Sequence, residues 1–374
     1  LTIFAIMNLK SLATGIISFL PLLNAVAQGD AASQMKGAQG DASDLMQVVP
    51  GDAAAQMKGA QDYSASSVLA SGRWAKIAVT AEGIYRLDYS RIRELGITDP
   101  ANAVLYGNNR GQLSFMNDGT APDDLTKIAV TVEKGSDGIF NEGDYLIFYA
   151  EGTHRWLHHP SSDEYSFLRH HYSDTAWYFI GSQPSGPLTI ETETQPSTLP
   201  TDVSQATDVF FRHEREEISL IRSGREWYQQ VASGVQTAVG PDFTDLVTTE
   251  RIRYRLRVLG RSDSGTSFTL RQGTETVKTV TVPSVTMTDL NGVFAEIVTA
   301  YDSVLPSSTS PSLNLTFSSG GNMAATGYID YVDFMARARI VLRDRHLIIS
   351  DSHTVGSGRV TRFTVENSST LRVW

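Results

Sequence analysis

Residues 135–152 read GSDGIFNEGDYLIFYAEG, a turn rich in Gly, Asp and Asn that runs directly into an apolar, aromatic segment. Asp137-Gly138 supplies a positive-φ turn position, Asn141 and Gly143 repeat the signal, and residues 145–149 have the bulk that suits a pleated surface. The stretch therefore predicts a β-hairpin corner, and with it an all-β domain. Working outward, short strand signals recur at residues 103–106, 112–115, 127–132 and 177–180, separated by turn residues, as in a sandwich or barrel. Upstream, WAKIAVT from Trp74 and IYRLDY to Tyr89 flank Ala81-Glu82-Gly83 and are expected to pair as a hairpin. Residues 90–95 then make a short helix, capped by Asp88 or Ser90, with Ile92 and Leu95 inward and Gly96 as terminator.

A second strand series begins beyond residues 189–208, TIETETQPSTLPTDVSQATD, which carry little that can pack and mark a domain junction. The later segments are 209–213, 226–230, 250–259, 267–271, 276–282, 293–299, 313–317 and 328–335, enough for a jelly roll or similar sandwich. The expected fold is all-β: two consecutive β-sandwich or jelly-roll-like domains, residues 73–195 and 205–345, with further strands in 346–374. Ahead of them come a signal peptide and a flexible linker. In residues 1–27, Lys10 precedes an apolar run over 12–23 and then Asn24-Ala25-Val26-Ala27, the parts of a secretory signal peptide behind a few upstream residues. A membrane anchor fits less well, because Ser, Thr, Gly, Pro and Asn interrupt a run too short for a core of about 30 Å. Residues 28–72 read as disordered linker in which GDAASQMKGAQG (29–40) recurs as GDAAAQMKGAQD (51–62), too few copies and too little apolar area to order a repeat.

Composition narrows the chemistry. A net charge of −10 over 374 residues argues against nucleic acid as a partner, because phosphate binding depends on Lys and Arg neutralising the backbone. With no cysteine, these residues hold no disulfide, thiolate metal site or sulfur nucleophile. No GxSxG elbow exposes a serine, and no phosphate-cradling GxxxxGK[ST] or GxGxxG loop is present. No catalytic, cofactor or metal residue is assigned.

Several constellations still deserve a structural answer. Residues 251–259, RIRYRLRVL, alternate Ile252, Tyr254, Leu256 and Val258 with Arg251, Arg253, Arg255 and Arg257, so one face is core and the other basic. Alternate guanidiniums stand about 6.6 Å apart along a strand. The plain reading is a solvated face whose arginines pair with carboxylates on neighbouring strands; the functional one is an anion-binding stripe for an acidic or phosphorylated glycan. Asp137, Asn141, Glu142 and Asp144 offer hard oxygens for calcium, yet their order departs from an EF-hand and suits turn residues equally. His154, His158, His159, His170, His171 and His213 cluster in sequence without metalloprotease spacing, and Trp156, Pro160 and Ser161 suggest loop around them. The Trp-Tyr pair at 227–228 in SGREWY reads as sheet packing.

Five segments in register, GIYRLDY (83–89), GSDGIFNEGDYLIFYAEG (135–152), HHYSDTAWYFI (170–180), SGREWY (223–228) and GYIDYVDFMARARI (327–340), resemble the PorU-type sortases of the type IX secretion system. That gingipain-like family places such regions ahead of a caspase-like cysteine peptidase domain, and RVW at 372–374 resembles the last strand before it. The resemblance implies a parent that is a cysteine endopeptidase and transpeptidase at the outer membrane, on the cell surface. It would remove C-terminal signal domains from secreted cargo and transfer the cargo to lipopolysaccharide by thiolate attack and acyl-enzyme formation. It also implies an outer-membrane β-barrel partner of the PorV type, secreted cargo proteins and anionic lipopolysaccharide as partners, and no nucleic acid. No catalytic position carries over; His346 and His353 lack the matching motif. The rival expectation is a free-standing secreted adhesin or glycan-binding β-sandwich, with the arginine strand as its binding face.

Overall fold

The computed structural model describes residues 2–7, 64–108, 111–113, 121–159, 164–192, 199–222, 224–343, 346–354, 359–367 and 371–373. The signal-peptide segment beyond Met7 and the duplicated linker to residue 63 lie outside the described residues, as do Pro160, Ser161 and Ser223. The fold is all-β, with one α-helix of 6 residues, Tyr89–Glu94, among the described residues. No described helix is long and apolar enough to cross a membrane. The chain divides into two compact units: among the described residues, 64–192 lie before the division and 199–373 beyond it, and Thr2–Met7 belongs to the latter unit.

In the unit before that division, a seven-stranded sheet runs in the order Ala75–Val79, Ala176–Ser182, Ala103–Gly107, Thr126–Glu133, Tyr145–Ala150, Gly83–Asp88, with Leu188–Thr189 added in parallel to Thr126–Glu133. The hairpin expected from residues 135–152 is present: Val130 faces Phe148 and Glu133 faces Tyr145. Gly138 (φ 71°) and Gly143 (φ 100°) take the left-handed turn positions that a side chain would disfavour.

The hairpin expected between residues 74–80 and 84–89 does not form. Ala75–Val79 pairs with Ala176–Ser182, while Gly83–Asp88 pairs with Tyr145–Ala150, so the tight turn at Ala81-Glu82 joins the two ends of the sheet. The cause is the core. Ile77, Val79 and Leu87 all point into one cluster with Ile128, Phe148 and Ile180, and a sheet that rolls up around it buries both strands where a flat hairpin would leave them unpacked. Thr126–Glu133 spans the bend, pairing through Ile128 with Leu105 and through Val130 with Phe148.

The helix begins one residue earlier than expected, Gly96 (φ 84°) ends it, and Ile92 is fully buried. Asp88 occupies the N-cap position without a side-chain cap bond, because its carboxylate accepts from Arg86 Nε at 2.6 Å. The histidine stretch is a strand, Arg155–His159, hairpin-paired with Glu164–Leu168, where a loop was expected. Ordered turns extend back to residue 64, where the Ser64 N–H donates to Asp123 Oδ2 at 2.8 Å. No strand forms at residues 112–113; the rest of that expected segment lies outside the described residues.

The other unit is a sandwich. Its five-stranded sheet runs Ala206–Glu214, Thr326–Arg339, Ile252–Arg261, Glu296–Val304, with Gln229–Val231 paired to the start of Thr326–Arg339. Its four-stranded sheet runs Gln236–Ala238, Leu313–Ser318, Thr266–Gln272, Glu275–Val282. All of these pairings are antiparallel. Inner faces interdigitate through Tyr254, Leu256, Phe334 and Val332 on one side and Phe268, Leu270, Leu315 and Phe317 on the other. Phe268 and Phe317 rings lie 5.0 Å apart within that core. The sheets approach closely at paired Gly260 and Gly327, where a Cβ on Gly327 would sit 2.5 Å from the Phe317 ring.

Residues expected to be junction contribute Asp202–Ser204, which pairs in parallel with Thr361–Phe363. Thr2–Met7, an apolar and partly β-branched run expected ahead of the signal peptide, pairs antiparallel with His346–Ser350 and Leu371–Val373.

Candidate functional site

The arginine-bearing strand Ile252–Arg261 is central in the five-stranded sheet, and its alternation is realised side by side. Ile252, Tyr254, Leu256 and Val258 are 0–2% exposed in the sandwich core, which commits the intervening positions to the outer face. Across that face the register sets rows: Arg212, Asp333, Arg255 and Tyr301 lie abreast on four neighbouring strands, and Glu214, Tyr331, Arg257 and Thr299 form the next row.

Most of these arginines have carboxylate or carbonyl partners. Arg212 forks onto Asp333, Nε to Oδ1 at 2.6 Å and NH2 to Oδ2 at 2.8 Å, and its ring partner is Tyr331 at 4.0 Å. Arg257 donates to Asp330 Oδ2 and lies 3.6 Å from Glu226 Oε1. Arg251 donates to Ser303 Oγ and to the Ser303 carbonyl at 2.7 and 2.6 Å. The pairing of arginines with acids on adjacent strands is thus the dominant arrangement. Arg255 differs. Asp333 stands opposite it in register but gives both oxygens to Arg212, and Arg255 stacks over Tyr301 at 4.6 Å with its buried Nε unbonded.

Asp330 and Asp333 are spaced so that a regular strand would send them to opposite faces. The register shift between Arg257 and Val258 prevents this. Ile329 and Val332 both enter the core, so Asp330 and Tyr331 bulge outward together and Asp330 comes under Arg257. Burial pushes the Asp330 carboxyl up to about 6; Arg257 opposes the rise, and Glu214 and Glu226 add to it. The acids Glu226 and Asp330 therefore gather around Arg257, while Arg255 stands beside Asp333 with no acid bound to its guanidinium. Sequence reading missed Arg212, Glu226, Asp330 and Asp333. The signal available was a pair of acids inside the apolar run GYIDYVDF, which only a bulge and an arginine partner can accommodate.

Three of the four calcium candidates, Asp137, Asn141 and Asp144, come together, but as turn chemistry. Asp144 accepts the N–H groups of Gly135 and Asn141, each at 2.8 Å, and Asp137 accepts from the Ile139 N–H and from Asn141 Nδ2 at 3.0 and 2.9 Å. The Asp137 carboxyl is held below its ordinary range, by the Ile139 N–H foremost. Their oxygens face donors, the arrangement that closes an Asx-type turn.

The histidines are dispersed over separate contacts. His154 Nδ1 accepts the His170 N–H, His170 Nδ1 accepts from Tyr172 and Ser173, and His159 meets Ser166 at 2.8 Å. Buried His213 meets Gln229 at 2.7 Å. Among the described residues no group of three or more His, Asp or Glu could hold a metal ion. Tyr228 packs in a small outer cluster with Leu259 and Tyr328, and burial together with Glu226 pushes its hydroxyl pKa up; Trp227 stays 38% exposed and is no core residue.

No protein-family model matches this sequence, and no curated protein matches it. Among solved structures, dimeric latent PorU from Porphyromonas gingivalis matches with a TM-score of 0.62 at 21% identity, covering 74% of this chain and 25% of that one. The two share a fold. The match spans a quarter of the PorU chain, 25% of its length. Two other matches, the insecticidal δ-endotoxin Cry8Ea1 from Bacillus thuringiensis (TM-score 0.23, 8% identity, 63% of this chain and 42% of that one) and a family 43 arabinoxylan arabinofuranohydrolase from Bacillus subtilis (0.20, 9%, 56% and 56%), carry no argument.

Proposed function

We propose that these residues form a noncatalytic, PorU-like region of a type IX secretion system sortase, which holds partners while a peptidase domain of the parent cuts. The observation that carries this reading is the shared fold with PorU over 74% of the chain at a TM-score of 0.62. The five landmark segments fall, in order, on the strand Gly83–Asp88, the corner before Tyr145–Ala150, the strand Ala176–Ser182, the turn leading to Gln229–Val231 and the long strand Thr326–Arg339.

The absence of cysteine removes any thiolate from these 374 residues, so cleavage of C-terminal signal domains and transfer of cargo to lipopolysaccharide are assigned to the parent. Rigid sandwich faces suit docking and presentation. On this reading the region is exported by its signal peptide, sits at the cell surface, docks on an outer-membrane β-barrel of the PorV type and presents secreted cargo. The test is co-elution of the purified chain with a detergent-solubilised PorV-type barrel on size-exclusion chromatography, with an unrelated barrel as control. Co-elution with the PorV-type barrel alone supports the reading; separate elution from both that barrel and a cargo signal domain contradicts it.

A further inference from the structure

We infer that Arg255 and Tyr301 form a binding site for a phosphate- or carboxylate-bearing sugar on the outer face of the five-stranded sheet. This inference rests on the sheet face itself and is independent of the likeness to PorU. Arg212 and Arg257 are neutralised by Asp333, Asp330 and Glu226, whereas the Arg255 side chain makes no hydrogen bond or ion pair among the described residues. A guanidinium is always charged and offers a planar fork that an oxyanion accepts bidentately; Arg251 also has no carboxylate but spends its donors on Ser303, so Arg255 is where an anion gains a fork.

Tyr301 fixes the geometry. Its ring holds the Arg255 guanidinium at 4.6 Å, and the Tyr301 side chain is 54% exposed, which leaves aromatic surface beside the cation. A sugar ring presents apolar C–H groups to an aromatic surface and an anionic substituent to the cation beside it, and so engages both residues at once. Glu226 and Asp330 are gathered around Arg257, and Asp333, beside Arg255 in the row, gives both oxygens to Arg212, so each of these acids already has an arginine of its own.

A peptide adding along the sheet edge fits less well. Edge strand Glu296–Val304 is bridged to the facing sheet by Lys278 Nζ and Asp302 Oδ2 at 2.8 Å, so the exposed face is the more open surface.

The experiment is an NMR titration of the full 374-residue chain with glucose 6-phosphate, glucose, inorganic phosphate and hexaglutamate. Glucose 6-phosphate is expected to shift the Arg255 and Tyr301 resonances saturably, glucose to leave them unmoved, and inorganic phosphate to bind several-fold more weakly. Arg255→Met should weaken glucose 6-phosphate by on the order of tenfold or more, the loss of a charge-assisted fork. Tyr301→Ala should weaken glucose 6-phosphate and leave inorganic phosphate unchanged. Arg255→Lys keeps the charge without the fork, gives an intermediate loss, and serves if the Met variant fails to fold. Absence of saturable shifts in the wild type, binding unchanged in both Arg255 variants, or hexaglutamate binding more tightly than glucose 6-phosphate would overturn the inference.

Discussion

Arg212 grips Asp333 with two parallel hydrogen bonds, on a side chain that is 1% exposed and sits in the middle of the five-stranded sheet. A pair so placed contributes little net stability relative to an apolar pair, but it is costly to break from one side, because the remaining charge stays buried. Asp333→Asn should lower unfolding stability by about 3–5 kcal/mol, read from the urea midpoint, whereas Arg212→Met with Asp333→Leu should recover most of the loss. A single Asp333→Asn variant as stable as wild type would show that the fork is solvent-screened.

The Asp330 carboxyl should titrate near pH 6 in a carboxyl-detected NMR experiment, since burial raises it ahead of every other influence. The sign follows from linkage. A carboxyl raised above its unfolded value of about 4 binds its proton more tightly when folded, so this group's contribution to stability falls as pH rises from about 4 to about 6. Asp330→Asn should flatten stability over that window. An unchanged slope in the variant would assign the pH dependence elsewhere.

Acid should act in the opposite direction at a second cluster. Arg337 NH1 donates to Asp208 Oδ1 at 2.9 Å and to Asp351 Oδ1 at 2.6 Å, and Ser352 N–H donates to Asp208 Oδ2 at 2.8 Å. Burial pushes Asp351 up, yet its hydrogen bonds, that from Arg337 foremost, hold it below its ordinary range. A depressed carboxyl stabilises above its unfolded pKa of about 4, and that stability is lost as pH falls through the folded value. Protection of the amides across residues 350–353, relative to their intrinsic exchange rates, should therefore fall below about pH 4, and Arg337→Met should produce the same loss at neutral pH. Protection that is indifferent to the Arg337 substitution would rule out this anchoring.

Gly327→Val should destabilise the sandwich by about 1–3 kcal/mol in thermal or denaturant unfolding. The added Cβ alone would meet the Phe317 ring at 2.5 Å, in a core where that ring is 1% exposed. Pairing the substitution with Phe317→Leu should restore part of the loss, and a neutral single variant would mean that the sheets can separate there at no cost.

The sequence made the strands visible wherever one face is core and the other polar, as in residues 251–259, whose inward positions are buried as the alternation required. The corner at residues 135–152 was equally legible, since Gly138 and Gly143 take the backbone angles that their turn signals demand. Pairing was less visible. Residues 75–79 and 83–88 look like a hairpin locally, and the choice of other partners is made by a shared core formed with Phe148 and Ile180, far away in the chain. The arginine face followed the same rule: its existence is local, but which arginines receive an acid depends on Asp333, Asp330 and Glu226 arriving from elsewhere in the chain, one of them through a bulge.

The most direct test of the proposed role is intact-mass spectrometry of a secreted cargo protein carrying its C-terminal signal domain, after incubation with the purified 374-residue chain. A region that holds cargo without a sulfur nucleophile leaves the cargo mass unchanged while retaining it on an affinity column. Release of the signal domain by this chain alone would contradict the account.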